Sequence, residues 1–349
     1  MRSFKQQMQA HQKRLLQAIE TLAALEQVKP SPSPSQVIMT ADKVRLIHFA
    51  PTCQATGVKF KAPLLICYAL VNRPYILDLE PERSLIADLV AAGHSVYLID
   101  WGYPDTTDQH LGLDDYIGDY LRSCVSACLE HSNSEQLDLL GVCQGGVFSL
   151  CYSLLFPQQI RKLITLVTPV DTSVEGFTLA QMISAVNIET LVKAQGNVSG
   201  SVLNQLYANL KPLELGLYKQ LNQLDNLKSS AQARTFLRME HWLADSPDLT
   251  GRSAVEFATG FFKHNGLAKG TLHICGQPMD LSQLSLPILN IFGSKDHLVP
   301  PASSKALKSL AKRSSEYQEL ELKAGHIGAF VSQTSRNTLV SRLNQFRSS

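Results

Sequence analysis

No apolar run in the sequence approaches the ~20 residues that span a bilayer. Its first residues, Met1-Arg-Ser-Phe-Lys-Gln-Gln, lack the apolar centre of a secretory signal. There is little net charge: 32 basic against 30 acidic residues leave +2. That balance offers no field to steer a nucleic acid or an anionic membrane. The pattern of a disulfide scaffold is missing too. The seven cysteines (Cys53, Cys67, Cys124, Cys128, Cys143, Cys151 and Cys275) are odd in number and mostly sit in apolar surroundings. Reduced thiols in a cytoplasmic protein are the simplest account. Cys124 and Cys128 stand about one helical turn apart with no matching histidine or cysteine pair nearby, so they are expected in the core and not on a metal. No resident cofactor is expected. The 349 residues suffice for one large domain carrying an insertion, and 44% hydrophobic against 18% charged residues is an ordinary globular balance.

What the chain does have is Leu137-Asp-Leu-Leu-Gly-Val-Cys-Gln-Gly-Gly146, an apolar strand running into a Gly-x-Cys-x-Gly turn. This is the nucleophile-elbow pattern of α/β-hydrolases, with cysteine in the place of serine. A lone cysteine in an apolar segment is usually a small buried hydrophobe. Here the context argues otherwise, because the strand, the turn and the apolar helix Val147–Leu155 follow in the order an elbow requires. Small neighbours at Gly141 and Gly145 let strand and helix approach closely. The helix beginning after Cys143 aims free N–H groups at the sulfur, which favours a thiolate.

An elbow needs an acid and a base later in the chain. Leu286 to Pro301 reads as a buried strand and a loop bearing Asp296. Tyr317-Gln-Glu-Leu-Glu-Leu reads as a last strand, and Lys323-Ala-Gly-His-Ile-Gly328 as the loop bearing His326. The order nucleophile, acid, histidine is that of α/β-hydrolases. Each candidate follows the C-terminal end of a strand, where open α/β sheets place their sites. Taken alone, Asp296 reads as a turn aspartate and His326 as a loop histidine; order and placement together favour a triad. The Gln144 backbone N–H is one expected oxyanion donor, and Val71 or Asn72 the second. His297 is expected to support the site by hydrogen bonding rather than to act as a second base. Arg73 is expected to be an ordinary solvated arginine rather than a phosphate ligand.

The remaining segments extend that frame. Leu64–Val71, Ser95–Asp100 and Arg161–Thr168 read as strands, Ser84–Ala92 as a helix ending at Gly93, and Asp114–Glu130 as an amphipathic helix. The alternation predicts a doubly wound, mostly parallel sheet. From about 172 to 285 it stops, and a mainly helical, aromatic-rich cap insertion is expected, with helices around Gln205–Leu210, Leu217–Leu227 and Ala231–Leu243. Most of its aromatics are expected in the cap's own core, and a cap that opens would gate the site and exclude water. Residues 1–28 form a separate helix, with Met8, Leu15 and Leu22 recurring every seven positions. Residues 29–36 read as a stiff Pro/Ser linker, and 37–349 as the catalytic domain.

These segments together resemble a class III polyhydroxyalkanoate synthase, catalytic subunit. The residues that carry the resemblance are Tyr68–Ser84, Tyr97–Asp105, Leu139–Gly146, Thr165–Asp171, Lys295–Pro301 and Gly325–Gly328, within a span of roughly 37–345. The resemblance implies an enzyme acting on (R)-3-hydroxyacyl-CoA, of short chain such as 3-hydroxybutyryl-CoA. Its acyl group would pass to Cys143 with release of CoA and then into a polyester. It also implies a dissimilar second subunit, a homodimer, or both, and work at the surface of polymer granules. Asp296 would then either orient His326 or help deprotonate the attacking hydroxyl. A cysteine-dependent thioesterase and a non-catalytic granule protein are the rival readings.

Overall fold

The computed structural model describes residues 32–52, 60–210 and 230–349. The expected helices over 1–28 and 217–227, with Cys53 and Tyr218, lie outside them. Eight strands form one sheet: β1 (Gln36–Ala41), β2 (Val44–Phe49), β3 (Leu64–Cys67), β4 (Val96–Asp100), β5 (Leu137–Val142), β6 (Ile160–Leu166), β7 (Ile288–Gly293) and β8 (Tyr317–Leu322). Their order in space is β1-β2-β4-β3-β5-β6-β7-β8. Only β2 runs against its neighbours; β4, β3 and β5 to β8 pair in parallel. The parallel strands β3, β5 and β7 are buried along their whole length, as a sheet covered on both faces requires. This is the α/β-hydrolase fold.

Helices cover those faces: α1 (Leu85–Ala91), α2 (Arg122–Ser132) and α3 (Gln144–Leu155) before the insertion. Ser84 caps α1 by accepting from the Ala87 amide at 2.8 Å, and Gly93 follows its end at φ +93°. The helix expected over 114–130 is entered through a π-helical turn at Asp115–Leu121. Cys124 and Cys128 are buried in the core, where burial raises both thiols far above the usual range. The expected linker is shorter than its reading. Gln36 already belongs to β1, and Ser33 is tied to the Asp78 carboxylate by its amide at 3.0 Å and its hydroxyl at 2.8 Å.

Between β6 and β7 stand α4 (Thr178–Ala185), α5 (Ile188–Gln195), α6 (Gly200–Asn209), α7 (Ser230–Ala244) and α8 (Gly251–Glu256), the last running into a second π-helical turn at Phe257–Lys263. The cap is bolted to the body through α7. Arg238 pairs with buried Glu80 at 2.6 Å, and the Trp242 indole N–H donates to the Arg73 carbonyl at 2.7 Å. After β7 come α9 (Pro301–Leu310) and the C-terminal α10 (Gln333–Ser348). Helix α10 lays Leu339, Leu343 and Phe346 on the sheet.

One charge lies deep in this core. Asp138 sits on β5 with no solvent exposure, and Arg347 of α10, equally buried, meets its carboxylate at 2.5 Å. Arg161 closes the other side at 2.8 and 2.5 Å. Burying charges is tolerable only with such pairing, and removing one partner typically costs about 3–5 kcal/mol. Arg347→Ala is therefore expected to lower the unfolding free energy by about 3 kcal/mol, since Arg161 remains. Urea unfolding followed by circular dichroism checks it; an unchanged midpoint contradicts it.

Candidate active site

Cys143 joins β5 to α3 at φ +53°, ψ −121°. A residue with a Cβ adopts such a backbone only where its surroundings impose it. The imposition is packing. A Cβ on Gly145 would stand 2.1 Å from the Cys67 carbonyl oxygen of β3, and one on Gly141 would stand 2.4 Å from the Gly146 Cα. Gly146 is just as constrained: a Cβ there would lie 1.8 Å from the Thr168 hydroxyl oxygen. Helix α3 thus lies hard against the sheet, and the turn has one way to go. The Cys143 amide donates to the Leu166 carbonyl at 2.9 Å, which fastens the elbow to β6.

Asp296 and His326 come from the loops after β7 and β8, and both are buried. The imidazole Nδ1–H donates to Asp296 Oδ2 at 2.7 Å. The other carboxylate oxygen, Oδ1, accepts from the amides of Leu298 and Val299, each at 2.9 Å. His326 stands near enough to Cys143 for the charge of the sulfur to act on the ring. Burial opposes a charge on the ring, but Asp296 and Cys143 outweigh it and hold the imidazole well above its usual range. The three residues expected from chain order thus meet in space. Geometrically the arrangement can move a proton from sulfur to imidazole while the aspartate fixes the ring.

The supporting residues divide. Gln144 opens α3, so its backbone N–H has no acceptor within the helix. Its side chain, to which the sequence reading gave no role, accepts from the Leu70 amide at 3.0 Å and ties the elbow to the loop after β3. Val71, on that loop, lines the same cavity as Cys143. Asn72 has φ +59°, and its side-chain amide donates to Ser246 of the cap at 2.7 Å. His297 is exposed and does not line the cavity. Arg73 is not solvated as expected. It is buried against Asp100 at 2.8 Å and donates to the Gly102 carbonyl at 2.6 Å, because its loop turns inward beneath the cap.

Cys143 opens into a cavity of about 150 Å³. Apart from Cys143, Gln144 and Tyr207 its lining is wholly apolar, and most of it comes from the cap, including Phe177, Leu203, Phe257 and Phe262. Phe257, Phe261 and Phe262 stack and cross within 4.6 to 5.3 Å of one another, so two of these aromatics build the cap's core and face the cavity at once. The apolar pattern of the sequence carried no sign of which cap residues would do both.

The fold, with an elbow that brings half-buried Cys143 to a buried His–Asp pair, places the chain in the α/β-hydrolase class. The chain matches the family model of the α/β hydrolase fold over residues 62–333 and that of the poly-beta-hydroxybutyrate polymerase N-terminus over residues 3–89. The latter begins at residue 3, ahead of the span the sequence reading matched. The chain is 42% identical over 332 residues to the poly(3-hydroxyalkanoate) polymerase subunit PhaC of Allochromatium vinosum, covering 94% of this chain and 92% of that one. It is 42% identical to the subunit of the same name from a Synechocystis species, covering 91% and 86%. Among solved structures it resembles naproxen esterase from Bacillus subtilis, with TM-score 0.50, 16% identity and coverage of 95% and 98%. An epoxide hydrolase from Bacillus megaterium gives 0.52, 14%, 89% and 100%. At such identities these two speak for the fold alone. The chain belongs to the poly(3-hydroxyalkanoate) polymerase family and is an acyltransferase that makes polyhydroxyalkanoate.

Two outcomes are expected at the site. Gly146→Ala should destabilise the protein by about 1–3 kcal/mol through overpacking against Thr168, and should slow alkylation of Cys143 by iodoacetamide; unchanged melting and alkylation contradict this. The second concerns pH. Because the folded protein raises the His326 pKa above its unfolded value, the stability that this group contributes is complete below about pH 6.5 and lost as pH rises through the folded value. The difference in unfolding free energy between wild type and His326→Gln should therefore shrink from pH 6 toward pH 10. A constant difference would show that the ring does not take up a proton on folding.

Proposed function

We propose that the protein polymerises (R)-3-hydroxyacyl-CoA, 3-hydroxybutyryl-CoA in particular, through an acyl thioester on Cys143. One observation carries the reading: a half-buried thiol beside a hydrogen-bonded, buried His–Asp pair opens into a small apolar chamber walled by the cap. His326 takes the thiol proton. The thiolate attacks the substrate's thioester carbonyl, and the oxyanion is met by the N–H groups of Gln144 and of Val71 or Asn72. The carbon–sulfur bond to CoA breaks, and CoA leaves with the proton from His326. A 3-hydroxyl then loses its proton to the imidazole and attacks an acyl thioester. An ester forms, and the thiolate that leaves recovers a proton. Positioned proton transfer of this kind typically contributes 10²–10⁴-fold.

Asp296 acts in this reading by orienting and charge-stabilising His326. Its two oxygens are already engaged with the ring and with two amides, and it does not line the cavity. That supports orientation over direct deprotonation of a hydroxyl. The chamber's size supports a short acyl group. An apolar cavity of ~150 Å³ holds a guest the size of benzene, and a 3-hydroxybutyryl group has as many heavy atoms. An apolar wall also keeps water from the acyl thioester, which separates a polymerase from a thioesterase. CoA is part of the substrate and a product; no resident cofactor takes part. A dissimilar subunit, a homodimer and the polymer surface are the proposed partners, in the cytoplasm at polymer granules. No helix among the described residues is long and apolar enough to cross a membrane.

Purified protein given 3-hydroxybutyryl-CoA, alone and with a candidate second subunit, should release CoA and form insoluble polyester. Rates should fall as the acyl chain grows to 3-hydroxyhexanoyl and 3-hydroxyoctanoyl. Cys143→Ala should reduce both products to background. Release of CoA with only soluble acid would make the protein a thioesterase, and no release with the partner present would leave a binding role.

A further inference from the structure

The chamber at Cys143 contains one hydroxyl-bearing side chain among the described residues, Tyr207 on cap helix α6. Its neighbours in the wall are the apolar Val202, Leu203 and Leu206. Burial raises the Tyr207 phenol well above its usual range, with the charge of the Cys143 sulfur adding to the effect. It therefore stays protonated and is a hydrogen-bond donor, not a base. In the other polar group of the lining, the Gln144 side-chain oxygen accepts from the Leu70 amide. Tyr68, buried in the body, feels both Cys143 and Tyr207, which places the two phenols and the sulfur in one neighbourhood.

A polar group left in an apolar wall is costly without a partner. A plain acyl chain would leave the phenol without one. A 3-hydroxyacyl chain would not, because its hydroxyl lies two carbons beyond the carbonyl and enters the chamber when the carbonyl is on sulfur. We propose that the Tyr207 hydroxyl donates a hydrogen bond to the 3-hydroxyl of the acyl group on Cys143 and so selects hydroxyacyl over plain acyl thioesters. This rests on the thioester reading above and adds the residue that reads the hydroxyl. Sites that hydrogen-bond a substrate hydroxyl discriminate far more strongly than those that sense only shape.

The test is the first acylation, measured as the burst of CoA from (R)-3-hydroxybutyryl-CoA and from butyryl-CoA, which lacks the hydroxyl. Tyr207→Phe should slow the hydroxylated substrate about tenfold or more and quicken butyryl-CoA, which no longer strands a phenol, collapsing the preference between them. The butyryl-CoA burst in the variant serves as its own control for folding. An unaltered preference, whether both rates hold or both fall together, overturns the assignment of Tyr207 while leaving Cys143 as acyl carrier. Wild-type protein that releases no CoA from either thioester overturns the thioester reading and this inference with it.

Discussion

The site is built on the backbone of Cys143, held at φ +53°. Its left-handed torsion persists because α3 is pressed against β3 and β5 closely enough that no Cβ fits at Gly141, Gly145 or Gly146. Everything at the site depends on that contact. It thrusts the sulfur out of the sheet, sets the Gln144 amide at a free helix end, and lets the Gln144 side chain reach the loop after β3. Loosening it would move Cys143, the Gln144 amide and the loop after β3 together.

Around this rigid turn the triad is divided among three strand ends, and the cap supplies what the sheet lacks. Asp296 is held by two amides of its own loop, so its carboxylate reaches His326 already oriented. The cap contributes no member of the triad. It contributes the apolar wall, the phenol of Tyr207, and the Ser246 hydroxyl that accepts from Asn72 and donates to Asn204 at 2.8 Å. Helix α6, which carries part of the wall, is thereby linked to the loop after β3.

The elbow was legible because steric necessity writes itself as glycines at fixed offsets, and the meeting of Cys143, Asp296 and His326 because topology fixes their chain order. Most of the parallel strands were legible as short, mainly apolar runs. Other features left weaker traces. Strands β1 and β2 were not foreseen, since β1 is an exposed edge whose residues alternate poorly. The π-helical turns at Asp115–Leu121 and Phe257–Lys263 look like ordinary helix in sequence. Arg73 was misread because a buried arginine and a solvated one share the same local neighbours; only its distant partner Asp100 tells them apart. The cavity wall was hidden for a like reason: an apolar cap residue has the same spacing whether it meets a side chain or a void.

The central claim is that Cys143 carries the acyl group. Mass spectrometry of peptides from protein mixed with 3-hydroxybutyryl-CoA and quenched in acid tests it most directly. The account predicts a hydroxylamine-labile hydroxybutyryl adduct on the peptide containing Cys143, chased into longer adducts as substrate is added. An adduct on any other residue, or CoA release with Cys143 unmodified at every time point, would contradict it.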